Sequence, residues 1–111
     1  MLQQIKDLQL HRLMLQGVGL GSAGLSLLCR SQQKLIELDL SSCLQITDAA
    51  VIALCAALPK LQSLSLMNCR CITDTGVASL ASLIHLRSVN LQGLQLVTAE
   101  GTLENLPFSI L

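Results

Sequence analysis

Aromatic residues are nearly absent from this chain, which has one phenylalanine, Phe108, and no tryptophan or tyrosine among its 111 residues. Aromatic side chains normally supply much of the buried area of a protein core. Hydrophobic residues nevertheless make up 51% of the sequence. The core must therefore be built from Leu, Ile, Val, Ala and Cys, which suits thin, regularly spaced layers within one small domain.

An excess of charge of either sign is also missing, because seven basic and seven acidic residues are scattered along the chain and cancel. Nucleic-acid binding normally requires a basic patch, and single strands are usually held on aromatic stacking platforms. The sequence shows neither feature, so we expect no nucleic-acid partner.

A long apolar segment is absent as well. The longest stretch without charge, Leu13–Cys29, is at the short edge of what spans a bilayer and contains four glycines, two serines and a glutamine. The first residues, MLQQIKDLQLHRL, contain Lys6, Asp7 and Arg12 and leave no apolar region typical of a signal peptide. We therefore expect no membrane partner and no secretory leader.

The five cysteines are an odd number without the spacing of a disulfide framework. Free, mostly buried thiols are the simpler interpretation, and they indicate a reducing compartment, the cytoplasm or the nucleus. Cys69 and Cys71 suggest a metal site, but zinc commonly needs four ligands in paired spacings and no histidine lies nearby in sequence. We predict no metal site and no cofactor.

What the chain does contain is an internal repeat. CLQITDAAVIAL, starting at Cys43, recurs as CRCITDTGVASL, starting at Cys69. The steps between units are 25, 26 and 25 residues, and the units start at Leu10, Leu35, Leu61 and Leu86. Each opens close to the pattern L-x-x-L-x-L-x-x-C, where Val18 and Leu94 replace the cysteine in the outer units. Alternation around the central Leu-x-Leu has the period of a short strand with one buried face.

The second half of each unit has the period of a helix. Apolar residues spaced i, i+3, i+4 and i+7 predict about three helical turns, at Val51, Leu54, Cys55 and Leu58, at Val77, Leu80, Ala81 and Ile84, and in part at Leu25, Leu28 and Cys29. Ser22, Asp48 and Asp74 precede these stripes, and each has a side-chain oxygen that can cap a helix N-terminus. Ala99 holds this position in the fourth unit, so we predict a short, irregular or missing last helix.

Strand, turn and helix repeated in register predict stacked parallel strands with helices on the other side, each unit completing its neighbour's core. The units LIELDLSSCLQITDAAVIALCAALPK and LQSLSLMNCRCITDTGVASLASLIH resemble the cysteine-containing subclass of leucine-rich repeats, over roughly Leu10 to Thr98. The resemblance implies an α/β solenoid, a horseshoe segment like that of ribonuclease inhibitor. Its concave face would carry four short parallel strands and its convex face about three helices.

The predicted organisation has three parts: residues 1–9 as the tail of a preceding helix or an N-terminal cap, 10–106 as the repeats, and 107–111 as an apolar C-terminal end. Met1, Ile5 and Leu8 follow a helical spacing, and LPFSIL is apolar where a polar cap is expected. We therefore expect the chain to be part of a longer array of repeats or a short isoform.

The same subclass occurs in leucine-rich F-box proteins, the substrate receptors of Skp–cullin–F-box ubiquitin ligases, and in the similar antagonist-of-mitotic-exit proteins, which lack an F-box. The resemblance implies a protein–protein interaction module that recognises a ubiquitination substrate. Too few residues precede Leu10 to form an F-box, so the Skp adaptor would be a partner only if a longer form contains one. One alternative is a ligase-independent regulatory or scaffolding adaptor. A second is a small-molecule receptor, which would need a pocket and which the tight units disfavour.

Catalysis is not indicated. His11 and His85 are the only histidines, and no feature of the sequence brings either to a nucleophile and an acid. GVGLGSAG lacks the G-K-[ST] ending of a phosphate-binding loop. We predict no catalytic residues.

The partner-binding surface is predicted on the concave face, where variable strand positions point away from the core. Residues there change class from unit to unit while core positions barely vary, as expected of a binding strip. The predicted residues are Arg12, Met14, Gln16, Glu37, Asp39, Ser41, Ser63, Ser65, Met67, Ser88, Asn90 and Gln92. Alternatively they are solvated polar residues in which Arg12 and Glu37 form an exposed ion pair, contributing about 0–1 kcal/mol.

Overall fold

Strands and helices alternate along the chain in the computed structural model, which describes residues 10–98 and 109–110. A 3-10 turn, Leu80–Ser82, follows the third helix directly. The other elements are β1 (Arg12–Met14), α1 (Ser22–Ser31), β2 (Glu37–Asp39), α2 (Asp48–Ala57), β3 (Ser63–Ser65), α3 (Asp74–Ser79), β4 (Ser88–Asn90) and β5 (Ser109–Ile110).

All five strands form one parallel sheet, in chain order from β1 to β5. The register pairs Leu13 with Leu38, Leu38 with Leu64, and Leu64 with Val89, so equivalent positions of successive units lie side by side. α1 packs on α2, and α2 packs on α3. The predicted α/β solenoid with four repeat strands and three helices is confirmed. β5 was not predicted, because its two residues are too few to show an alternating period.

The core is a stack of aliphatic layers, each made of one repeat position from successive units. Leu38, Leu64 and Val89 form one layer from the middle of the strands, and all are at most 1% exposed. Ile46 and Ile72 are fully buried where the chain turns toward the helix. Within residues 10–98, aliphatic residues and the cysteines Cys29, Cys43 and Cys69 fill this core, as the scarcity of aromatics predicted.

The third helix differs from the predicted stripe. α3 ends at Ser79, Ile84 is 83% exposed, and Leu83 is buried in its place. The third unit is one residue shorter than the second, yet its last core leucine must still lie three residues before the opening leucine of the next unit. Leu83 meets that requirement, because its carbonyl accepts the N–H of Leu86 as the carbonyl of Leu58 accepts that of Leu61. The 3-10 turn needs fewer residues per turn and absorbs the difference.

The predicted helix caps were wrong in two respects. The cap position lies one residue earlier in each helix, and the aspartates accept hydrogen bonds from a different partner. The helices begin at Ser22, Asp48 and Asp74, and the residues in the cap position are Gly21, Thr47 and Thr73. The Thr73 hydroxyl accepts the N–H of Thr75 at 3.3 Å. The carboxylates of Asp48 and Asp74 instead accept hydrogen bonds from Thr73 and Thr98 of the following unit, so they connect repeats.

Each of the strands β1 to β4 is followed by a residue with positive φ at the same repeat position. The φ angles are 72° at Gly17, 61° at Ser42, 64° at Asn68 and 78° at Gly93. This left-handed conformation is unstrained in glycine and tolerated by asparagine. It turns the chain away from the sheet and toward the helix side.

None of the helices in the described part of the chain has the length and hydropathy needed to cross a bilayer.

Candidate partner-binding surface

The sheet brings the predicted surface residues together in columns. Arg12, Glu37, Ser63 and Ser88 are paired in register across β1 to β4. A second column, two residues further along each strand, pairs Met14, Asp39, Ser65 and Asn90. Neighbouring parallel strands lie about 4.8 Å apart, so one partner segment can contact several units at once.

Exposure varies along this surface. Arg12, Gln16 and Gln92 are exposed and Met14 is 49% exposed, whereas the central residues are half-buried. Half-buried residues of the predicted surface are Glu37, Asp39, Ser63, Ser65, Met67, Ser88 and Asn90. The strip therefore has protruding side chains on β1 and a shallower, more polar surface on β3 and β4.

Ser41 is a correction, because it is only 2% exposed. Its hydroxyl oxygen lies 2.6 Å from that of Ser65, in a hydrogen bond that ties the end of β2 to β3. Ser41 was predicted in the outward column, but a side chain this small is covered by its neighbours just before the turn at Ser42. We call the remaining predicted residues the sheet strip: Arg12, Met14, Gln16, Glu37, Asp39, Ser63, Ser65, Met67, Ser88, Asn90 and Gln92.

Arg12 and Glu37 form an ion pair between adjacent strands, from Arg12 Nε to Glu37 Oε2. The side chains are 73% and 33% exposed, so solvent screens the pair and its contribution to stability is about 0–1 kcal/mol. The pair cancels most of the charge at the β1 end of the sheet strip. It leaves the guanidinium exposed and available for a partner's acceptor groups.

Asp39 and Asn90 have a structural role that the sequence analysis missed. Asp39 Oδ1 accepts the N–H of Ser41 at 2.8 Å, and Asn90 Oδ1 accepts the N–H of Gln92 at 3.0 Å. These side chains hydrogen-bond to the backbone two residues on and end the strands. The signal was present in the sequence, because both residues hold the same repeat position just before a turn.

The cysteines are placed for packing. The thiols of Cys43 and Cys69 donate to the carbonyls of Leu15 and Leu40 in the preceding unit, at 3.2 and 3.0 Å. Burial raises the pKa of both thiols, and that of Cys69 reaches about 11. A protonated thiol is a poor nucleophile and a poor metal ligand. Within residues 10–98 and 109–110, no three His, Cys, Asp or Glu side chains are grouped to hold a metal ion.

Two grooves indent the described surface. A groove of about 530 Å³ runs between α1 and α2 and is lined largely by alanines and by Leu25 and Cys29. The second has about 400 Å³ and lies at the end of the sheet where the strands begin. We call the second the strand-entry groove, and its lining residues are His11, Lys34, Ile36, Lys60, Gln62 and His85. His11 and His85 are far apart in sequence, and their meeting in one groove was not predicted.

Comparisons with known proteins agree with this geometry. A sequence model described as leucine-rich repeat matches residues 31–55 and 57–81. The fold is a leucine-rich repeat solenoid. Eleven chains of solved structures match it. One is a chain from the crystal structure of the Rad7 and Elc1 complex in yeast, at 22% identity and a TM-score of 0.54.

That match covers 82% of the present chain and 30% of the other, so the leucine-rich repeat chain described here spans under a third of that protein. At this identity the likeness shows the fold alone. No curated protein matches the sequence. Leucine-rich repeat solenoids present extended surfaces to protein partners, and the chain is accordingly a protein-interaction module.

Proposed function

We propose that the chain recognises a protein substrate for a Skp–cullin–F-box type ubiquitin ligase, and that the substrate binds the sheet strip. The observation that carries the binding surface is the register of β1 to β4. It aligns strip residues that change class between units, while the central core position beneath them is leucine in β1 to β3 and valine, Val89, in β4. The ligase context is supported by the resemblance of the two central units to the cysteine-containing subclass.

Two regions of the sheet strip suit different contacts. Arg12 and Met14 protrude at the β1 end, and both residue types are enriched at protein interfaces. Ser63 and Ser88 lie side by side at the centre, where small side chains let a partner backbone approach the sheet closely. We therefore expect Arg12 and Met14 to anchor the partner while the serine region accommodates its main chain.

The test is a bulky charge placed on the serine region, with a matched change on the helix side. Ser63→Arg enters the centre of the sheet strip and leaves the turn-forming Asp39 and Asn90 intact. Ser26→Arg makes the same chemical change at an exposed position of α1. Affinity purification from cell lysate compares wild type with both variants, after their urea midpoints have been shown to agree.

Proteins captured by wild type and Ser26→Arg but lost with Ser63→Arg support binding at the sheet strip. Equal capture by all three chains contradicts it. Skp adaptor or cullin among the captured proteins supports the ligase context, and captured partners without any ligase subunit favour the ligase-independent adaptor. The proposal also places the chain in the cytoplasm or nucleus, in keeping with its five free cysteines.

A further inference from the structure

The strand-entry groove is basic, although the chain as a whole has no net charge. Its lining includes two lysines and two histidines and no acidic residue. Lys34, Lys60, His11 and His85 are exposed, and Ile36 and Gln62 are half-buried between them. The groove therefore has cationic walls and a floor that is partly apolar.

The repeat builds the groove from two rows of side chains. The first row holds the residue after the opening leucine of each unit: His11, Ile36 and Gln62. Backbone hydrogen bonds fix this row, because each of these carbonyls accepts two N–H groups of the next unit. The His11 carbonyl, for example, accepts those of Ile36 and Glu37 at 2.8 and 2.9 Å.

The second row holds the residue before the opening leucine, namely Lys34, Lys60 and His85. Successive members of a row are offset by one strand spacing, about 4.8 Å. A lysine or histidine thus recurs at each of three consecutive units. Arg87 continues the first row beyond Gln62 and is exposed.

The lysines of the groove have no acidic counterpart in the described part of the chain. Between residues 10 and 98 and at 109–110, the ion pair found is Arg12 with Glu37. Glu37 is the carboxylate that follows the groove residue Ile36 in sequence, and Arg12 already holds it. The positive charge of Lys34 and Lys60 is therefore available to a ligand.

We propose that the strand-entry groove binds an extended acidic peptide segment of a protein partner. In an extended peptide, side chains at alternate positions share one face and lie about 6.6 Å apart. Flexible lysine side chains on adjacent units can reach carboxylates at that spacing. Ile36 and Gln62 then contact the methylene groups of glutamate and the peptide backbone.

The groove is separate from the sheet strip, since it uses the residues on either side of each opening leucine and none of the strip residues. The two surfaces adjoin at Ile36 and Glu37, so one partner can cover both. The inference goes beyond the proposed function, and its test uses a synthetic peptide. Failure here therefore leaves the comparison of lysate partners unaffected.

Fluorescence anisotropy with a labelled seven-residue peptide of alternating glutamate and alanine tests the groove. Lys60→Glu reverses the central charge of the second row. Arg70→Glu makes the same change in net charge at an exposed residue outside the groove. We expect Lys60→Glu to weaken binding about tenfold, and Arg70→Glu to have at most about a twofold effect. A peptide of alternating glutamine and alanine should not bind.

The two histidines provide a second readout in the unchanged protein. They are the only histidines in the chain, and both line the groove. Their imidazole C–H signals in the proton NMR spectrum should therefore both shift as the acidic peptide is added, and the glutamine peptide should leave them in place.

Four results would overturn the proposal. In the binding assay they are a wild-type chain that does not bind the acidic peptide at low salt, and equal weakening of binding by Lys60→Glu and Arg70→Glu. In the NMR experiment it is a pair of histidine signals that do not shift at saturation. The fourth is tighter binding of a ten-nucleotide oligothymidine than of the peptide. The last result would instead assign the groove to nucleic acid.

Discussion

Asp48 of the second repeat accepts two hydrogen bonds from Thr73 of the third, from the backbone N–H at 2.8 Å and from the hydroxyl at 2.5 Å. Asp74 repeats the arrangement one unit later, with the N–H and hydroxyl of Thr98 both at 2.8 Å. The aspartates that begin α2 and α3 thus each hold the threonine of the following unit. Because solenoid stability depends on the interfaces between neighbouring repeats, this ladder couples adjacent units.

The first prediction concerns the loss of one step of the ladder. Asp48→Ala leaves the N–H and hydroxyl of Thr73 without their acceptor, so we expect the free energy of unfolding to fall by about 1.5–3 kcal/mol, as for hydrogen bonds to charged groups. Asp48→Asn is the control, because it keeps one acceptor oxygen and should lose less. Urea unfolding measures both, and an Asp48→Ala midpoint equal to that of wild type would mean that the ladder contributes nothing.

The second prediction concerns Gly76, which lies in α3 directly against the ladder. A Cβ at this position would clash with Asp48 Oδ1 and approach Ile72 Cγ2 to 3.1 Å. On helix propensity alone, Gly→Ala should stabilise by about 1 kcal/mol. We expect Gly76→Ala to destabilise the chain instead, because the aspartate must give up Thr73.

A double-mutant cycle separates the two causes for Gly76. In the Asp48→Ala background the clash is gone, so Gly76→Ala should be neutral or stabilising there. Urea midpoints of the four chains give the coupling. An equal cost in both backgrounds would assign the effect to Ile72 and refute the dependence on Asp48.

Leucine spacing was sufficient to predict the strands, their register and the core layers, because the alternation of buried and exposed residues is visible within the sequence of each unit. Contacts between units leave no such local pattern. The ladder joins Asp48 to a residue 25 positions away, and its aspartates occupy positions that suit an ordinary helix cap. Sequence reasoning therefore found the helix starts and assigned the wrong partner.

The surface was less predictable for the same reason. Ser41 and Ser65 hold different positions in their units, and only the assembled sheet shows that their hydroxyls meet and bury Ser41. The strand-entry groove combines residues from three units at two repeat positions, and none of them forms a motif within its own segment. Leu83 and Ile84 could each complete the apolar stripe of the third helix. Leu83 is the buried one because the third unit is one residue shorter than the second.

A third prediction uses two glycines at the same repeat position. Gly17 and Gly93 have φ angles of 72° and 78°. A Cβ at Gly17 would meet nothing within 4 Å, whereas at Gly93 it would clash with Asn68 Oδ1 and lie 3.3 Å from Asn68 Cα. We expect Gly17→Ala to cost about 1–2 kcal/mol for the left-handed backbone, and Gly93→Ala to cost more. Thermal unfolding of both variants measures the two losses of stability. A larger loss for Gly17→Ala than for Gly93→Ala would contradict the prediction.

A fourth prediction concerns the order in which the thiols react. Cys71 is exposed and Cys55 half-buried, while Cys29, Cys43 and Cys69 are buried. A maleimide pulse followed by peptide mass spectrometry should label Cys71 first and the three buried thiols only after unfolding in urea. Cys71→Ser should remove the fast phase. Rapid labelling of Cys43 or Cys69 in the folded chain would show that the repeat register is wrong.

The last prediction is a loss of stability at alkaline pH caused by the buried thiols. Burial raises the pKa of Cys69 from 9.0 to about 11, and it also raises the pKa of Cys29, Cys43 and Cys55. The folded chain therefore keeps Cys69 protonated at pH values where the unfolded chain ionises it. The resulting stabilisation is fully present below pH 9 and is lost as the pH rises through 11.

For Cys69 the loss between pH 8 and pH 10.5 amounts to at most about 2 kcal/mol, at 1.36 kcal/mol for each pH unit above 9.0. Urea unfolding at pH 8 and pH 10.5 measures it, and tyrosine titration does not interfere because the chain has no tyrosine. Cys69→Ala should be less stable than wild type at pH 8, because it leaves a cavity, yet should lose less stability between the two pH values. Equal losses in the two chains would mean that the Cys69 thiol ionises as readily folded as unfolded, which is incompatible with its place in the core.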